Sequence, residues 1–190
     1  MAKILAFAGT TRTEALNKKL IRVAAAAARE AGGDVTLIDL RDLPMPLYDG
    51  DLEAKEGIPA NAMKFKELML AHRGLLISTG EYNSSITGVL KNAIDWASRS
   101  APGEAELACF KDKVAGLLSA SPGMLGGMRA MAAVRLILGN IGVLVIPEQL
   151  ALSRAHEAFE ADGSLKDPKR VAGVSKVAAA LVKVAARLSD

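Results

Sequence analysis

The chain has 190 residues, of which 51% are hydrophobic, enough to bury a sizeable core and too apolar for a disordered segment. Its 24 basic and 21 acidic residues leave a net charge of +3. That excess is small and scattered, with no basic block and no interleaved aromatics, so composition does not point to nucleic acid. A single cysteine, Cys109, excludes an internal disulfide, and the two histidines, His72 and His156, lie too far apart in sequence for metal-ligand spacing. The apolar run in "MAKILAFAG" is too short for a signal peptide, and "MAAVRLILGNIGVLVIP" is broken by Arg135 and Gly139-Asn140 before it reaches membrane-spanning length. The expectation is a cytoplasmic protein in a reducing compartment.

In chain order, "KILAFA" (3–8) reads as a strand that stops at Gly9, and residues 14–31 as a helix ended by Gly32-Gly33. "VTLIDL" (35–40) is a second strand. The segment that follows, "RDLPMPLYDGDLEAKEGIP", carries three prolines and no clear period, which predicts a long loop of the kind that is often functional. Residues 60–72 predict a helix, 74–79 a buried strand, 86–99 a helix, 113–120 a buried strand and 126–138 a helix. Residues 142–147 complete the strands, and a closing helix runs over 168–188 from near Pro168. Five continuously apolar runs alternating with helices describe an α/β fold, a doubly wound parallel sheet covered on both faces. With no repeat and no linker, residues 1–190 are expected to form one domain.

In such sheets ligands bind at the carboxyl ends of the strands, so three loops draw the chemistry. "GTTRTEALN" (9–17) offers hydroxyls, a guanidinium at Arg12 and the unpaired first-turn amides of a helix, an anion-binding combination. It is neither a Walker sequence nor the dinucleotide glycine fingerprint, and the same threonines also suit a plain helix cap. "GEYNSS" (80–85) sets a turn at the end of a buried strand. Taken singly, Glu81 reads as a solvated charge, Tyr82 as a surface aromatic and Asn83 as a turn or capping residue. "SASPGMLGGMRA" (119–130) repeats the strand, small-residue turn and helix, with Gly123, Gly126 and Gly127 allowing close backbone approach. Trp96, deep in a helix, reads as packing, and Cys109 as an inert thiol; Met124, Met128 and Met131 read as core or interface. No Ser/His/Asp order or paired carboxylates emerge.

These loops resemble the NADPH-dependent FMN reductase family, flavodoxin-like enzymes that include quinone, azo-dye and chromate reductases. The first-loop pattern G-S-x-R-x-x-S-x-N is matched by Gly9, Thr10, Arg12 and Asn17. The second, P-E-Y-N-x-S-x-x-G-x-L-K-N-A-I-D-W, is matched by Glu81, Tyr82, Asn83, Ser85, Gly88 and the run Leu90 to Trp96. The resemblance implies a five-stranded sheet of order 2-1-3-4-5. It implies FMN held by Thr10, Arg12 and Asn17 with the amides of Ala15, Leu16 and Asn17 at the phosphate. Glu81, Tyr82, Asn83 and Ser84 would meet the ring, and Ser121 and Gly123 would close its other side. Further implications are NADPH or NADH as co-substrate, a small acceptor such as a quinone, and a homodimer or homotetramer. Two positions depart from the pattern. Ala15 stands where the family has a phosphate-binding serine, a loss of about 1 kcal/mol or somewhat more, and Gly80 stands where it has proline. Those departures leave open an electron carrier, or a binding protein that has lost FMN.

Overall fold

The computed structural model describes residues 1–188. Its strands are β1 (Lys3–Ala8), β2 (Asp34–Asp39), β3 (Gly74–Ser78), β4 (Val114–Ala120) and β5 (Leu144–Leu152), and its helices are α1 (Leu16–Glu30), α2 (Gly50–Glu56), α3 (Ala60–Ala71), α4 (Gly88–Ala97), α5 (Met128–Asn140) and α6 (Pro168–Arg187). Every strand pair is parallel, and the order is β2-β1-β3-β4-β5, the flavodoxin-like arrangement expected.

Side chains alternate across a strand, so an apolar run that is buried throughout must feed two cores. Ile4 and Ala6 of β1, with Leu76, Val114 and Leu118, pack beneath α1 and α6. Leu5 and Phe7, with Leu75, Ile77, Ala115 and Leu117, pack against α3, α4 and α5. The alanine run of α1 gives that helix a thin face: Ala24, Ala25 and Ala28 are buried against α6 and the sheet. On the opposite side Phe7 and Phe65 meet edge to face, centroids 5.6 Å apart, a geometry that adds to simple burial.

Two expectations are corrected. Residues 41–59 are not one loop: a 3-10 turn spans Leu40–Asp42 and α2 follows. The Asp49 side chain caps α2 by accepting from the Asp51 amide at 2.8 Å, and Asp51 and Glu53 sit in its first turn with Lys55 in the last. This capping and charge pattern is readable in "DGDLEAKE" but was outweighed by the prolines. The segment is anchored to α4. Asn92 accepts from the Tyr48 amide at 2.8 Å and donates to the Pro46 carbonyl at 2.9 Å, which also receives the Trp96 indole at 2.8 Å.

The second correction concerns β5, which runs through Pro147 to Leu152 instead of stopping there. It is an edge strand, where a missing amide is tolerated. Its register slips between the pairs Ala115↔Val145 and Leu117↔Gln149, and the Arg135 guanidinium takes up the displaced carbonyls of Val145 and Ile146 at 3.2 and 2.9 Å.

A buried cation fixes the strap between α4 and β4. Lys66 of α3 is 1% exposed and donates to the Glu104 carboxylate at 2.7 Å and to the Arg99 carbonyl at 2.6 Å. Burial pushes the Glu104 carboxyl up, but hydrogen bonds from Lys66 and the Ala101 amide, with the Lys66 charge, outweigh that and hold it below the ordinary range. A depressed carboxyl stabilises the fold above its unfolded pKa and loses that contribution as pH falls through the folded value. Glu104→Gln is therefore expected to cost about 2 kcal/mol at neutral pH. In urea titrations the gap to wild type should close as pH drops below the normal carboxylate range.

Candidate functional site

The carboxyl ends of β1, β3 and β4 each run into one of the three sequence-identified loops, and the loops meet around a cleft of about 480 Å³ counted to its mouth, a volume within the range of small-molecule sites. Eight of the expected residues line it: Thr10, Arg12, Ala15, Leu16, Asn17, Glu81, Tyr82 and Ser121. Gly80, Thr87, Ala120 and Pro122 complete the wall. Asn83, Ser84 and Gly123 do not reach it.

The first loop is built as an anion cradle. Gly9 donates its amide to the Ser78 carbonyl at 2.8 Å, carrying the chain off the sheet. The hydroxyl of Thr10 accepts from the Arg12 amide at 3.3 Å, and the Arg12 guanidinium rests on the Glu14 carbonyl at 3.1 Å. Helix α1 then begins at Leu16 with Ala15 as its N-cap residue and no side-chain cap. The amides of Leu16 and Asn17 have no partner among the described residues, and they sit at the positive end of a fifteen-residue helix. Glu14 precedes the helix and is exposed.

Asn17 lines the cleft and is also tied into the protein. Its side chain is 8% exposed and committed to protein: the amide donates to the Ala120 carbonyl at 2.9 Å, and the oxygen accepts from the Ser78 hydroxyl and the Ala120 amide, both at 2.8 Å. It is a brace across the ends of β3 and β4, which leaves its backbone amide and one of its two side-chain N–H groups without a partner among the described residues. Sequence could not separate the two roles, because both want an asparagine at the second turn-side position of the helix.

The second loop is a tight hairpin. Tyr82 and Ser85 exchange both backbone hydrogen bonds, at 3.1 and 3.0 Å, around Asn83 and Ser84, whose φ values of 50° and 65° lie in the left-handed region that two-residue hairpins require. Asn83 and Ser84 therefore form the exposed tip, not the wall. Gly80 has φ of 69°, a conformation closed to the proline of the family pattern, which is fixed near −65°. The loop is fastened from two sides. The Thr87 hydroxyl, 3% exposed, donates to the Gly9 carbonyl at 2.5 Å and caps α4 by accepting from the Leu90 amide at 3.2 Å. The Glu81 carboxylate accepts from the Ala130 amide at 3.0 Å in the first turn of α5, a helix whose own N-cap, Gly127, has no side chain to offer. Glu81 is thus a capping anion shared between two loops. Thr87 is not among the expected site residues, although a threonine three residues before an apolar helical position is a cap signal.

In the third loop the Ser121 hydroxyl accepts from the Gly123 amide at 3.2 Å, turning the chain so that Ser121 and Pro122 face the cleft and Gly123 does not. Arg129 of α5 donates to the Ser84 hydroxyl at the hairpin tip at 3.0 Å. Beside the first loop the cleft opens into a larger hollow of about 1060 Å³, where Arg41, from the turn after β2, joins Arg12. Among the described residues no group of three or more His, Cys, Asp or Glu is placed to hold a metal ion, and no helix is long and apolar enough to cross a membrane.

If Asn17 is a brace, its loss should show without any ligand. Asn17→Ala leaves the Ser78 hydroxyl and both main-chain groups of Ala120 unpaired in a buried setting, at a cost on the order of 3 kcal/mol. Thermal unfolding of the ligand-free protein checks this.

The chain is similar to known proteins over most of its length. The family model for NADPH-dependent FMN reductase matches residues 2–157. An NAD(P)H-dependent FMN reductase of Pseudomonas aeruginosa is 40% identical over 173 residues, covering 88% of this chain and 86% of that protein. A probable NADPH:quinone oxidoreductase of Oryza sativa subsp. japonica is 33% identical over 172 residues, covering 88% and 80%. Among solved structures, the flavoenzyme NAD(P)H:(acceptor) oxidoreductase FerB from Paracoccus denitrificans superposes with a TM-score of 0.80 at 28% identity, covering 98% of both chains. With the fold, the three loops and these matches in agreement, the chain belongs to the NADPH-dependent FMN reductase family.

Proposed function

We propose that this chain is a flavin-dependent NAD(P)H oxidoreductase that passes hydride by way of FMN to a quinone-like or other small acceptor. The observation that carries the reading is the donor set of the cleft. One end offers unpaired helix amides and a guanidinium, and the other is walled by residues 80–82 and 120–122, where the Gly80 and Glu81 amides have no partner among the described residues. The first end suits a phosphate dianion, and the second suits a planar ring with polar edges. FMN, when bound, supplies the hydride-accepting and hydride-donating ring, so no protein acid or base is needed for the transfer itself.

In this reading the amides of Ala15, Leu16 and Asn17 hold the phosphate, with Thr10 and Arg12 beside them. Gly80, Glu81 and Tyr82 line one side of the ring, and Ser121 and Pro122 the other. Tyr82, 60% exposed, covers the mouth on the side where a nicotinamide or acceptor would enter. Glu81 does not touch the chemistry: tied to α5, it fixes the distance between the two walls. The relatives' names, NAD(P)H-dependent FMN reductase and NADPH:quinone oxidoreductase, support the choice of donor and acceptor class. We propose a homodimer or homotetramer of one-domain subunits, since Met124, Met128 and Leu136 leave an exposed apolar surface along α5 and the loop before it.

The purified protein should take up FMN and turn yellow, and anaerobic NADPH should bleach it. A protein that takes no FMN would defeat the reading, and one that binds FMN without bleaching would be a carrier. Ala15 leaves the N-cap without a hydroxyl, so Ala15→Ser should tighten FMN about fivefold, the equivalent of one added hydrogen bond near 1 kcal/mol. Fluorescence titration of the flavin reads that change directly.

A further inference from the structure

We propose that Arg41 recognises the phosphate on the adenosine end of the pyridine nucleotide and so selects NADPH over NADH. This rests on the reductase reading above and deepens it.

Arg41 and Arg12 face one hollow, whose lining contains no acidic residue. Neither guanidinium is in an ion pair among the described residues. Of the two carboxylates near Arg41 in sequence, Asp39 is engaged, binding Lys18 at 2.6 Å through one oxygen and capping the Arg41 amide at 3.0 Å through the other, and Asp42, the next residue, forms no ion pair with Arg41 and does not line the hollow. Two guanidiniums facing one space repel each other, and an anion between them removes that cost.

Position separates Arg41 from the flavin phosphate. The unpaired α1 amides and Ala15 belong to the inner cleft, which Arg41 does not line. Arg41 stands on the 3-10 turn after β2 and donates to the Thr13 hydroxyl, on the outer side of the phosphate loop. Its backbone is fixed by the Asp39 cap, so the guanidinium is presented from a rigid base.

Beyond Arg41 lies a slot of about 510 Å³ walled by Leu40, Pro44, Met45 and Val89, with Arg41 forming part of its rim. An apolar slot next to a fixed cation suits a purine nucleoside carrying a phosphate monoester: the slot covers the base and the guanidinium takes the dianion, in two parallel hydrogen bonds. A nicotinamide nucleotide laid across the mouth past Tyr82 would bring its adenosine end to this side of the protein. NADPH bears the extra phosphate there and NADH does not.

The test uses FMN-loaded protein and two probes, adenosine 2′,5′-bisphosphate and adenosine 5′-monophosphate, by titration calorimetry. Wild type should bind the bisphosphate tighter by about tenfold or more. Arg41→Ala should abolish the difference, and Arg41→Lys should keep part of it, having the charge without the fork. In steady-state assays the ratio of kcat/KM for NADPH to that for NADH should fall by a similar factor in Arg41→Ala. If Arg41→Ala weakens FMN while leaving the probe difference intact, the residue serves the flavin phosphate and the proposal is overturned. Equal binding of the two probes by wild type overturns it as well. A wild-type protein that takes no FMN and oxidises neither nucleotide fails at the reductase reading, a result distinct from the other two.

Discussion

The side chain of Asn17 is the interaction on which the site is assembled. A parallel sheet buried on both faces brings its strand ends together, but it does not by itself set how the loops leaving them are spaced. Asn17 does so with one amide group: it stands on α1, binds the end of β3 through Ser78 and the end of β4 through Ala120. Thr87 adds a tie from the start of α4 back to Gly9, and Glu81 adds one from the hairpin to α5. Each loop is thereby fixed to its neighbours by side chains engaged within the protein. A cleft framed in this way keeps its shape before anything enters it, which lowers the ordering cost of binding.

That division of labour accounts for the kinds of residue found there. The atoms left for a ligand are mostly main-chain amides at a helix start and a loop edge, with guanidiniums at the rim. The conspicuous polar side chains of the motif, Asn17, Glu81 and Thr87, are occupied in joining elements. The same holds on the helix that follows, where Asn92 and Trp96 fasten the segment after β2. Much of the motif thus serves as framework between elements.

This explains how much could be read from the sequence. The strands and their order were legible because burial on both faces writes continuous apolar runs, and the three loops followed from where such sheets bind. Eight of the eleven expected site residues line the cleft. What sequence left unresolved was direction: Asn83 and Ser84 are carried to the hairpin tip by two successive positive φ values, and Gly123 is turned away by the Ser121 hydroxyl. Arg41 was hidden for a different reason. It belongs to the segment after β2, whose prolines masked a capped turn and a short helix, and only the sheet order brings that segment beside the loop after β1.

The positive φ at Gly80 has a consequence for engineering this protein. Its missing Cβ would lie 3.1 Å from the Thr87 methyl and 3.5 Å from the Asn17 amide nitrogen, so the backbone of this residue is threaded between two of the ties that frame the cleft. Importing the proline-containing turn of the wider family is not a point change here. A chimera has to carry the segment from the end of β3 through the α4 cap as one cassette, together with the partners of Asn17, or the graft and its host will demand different paths of the same peptide.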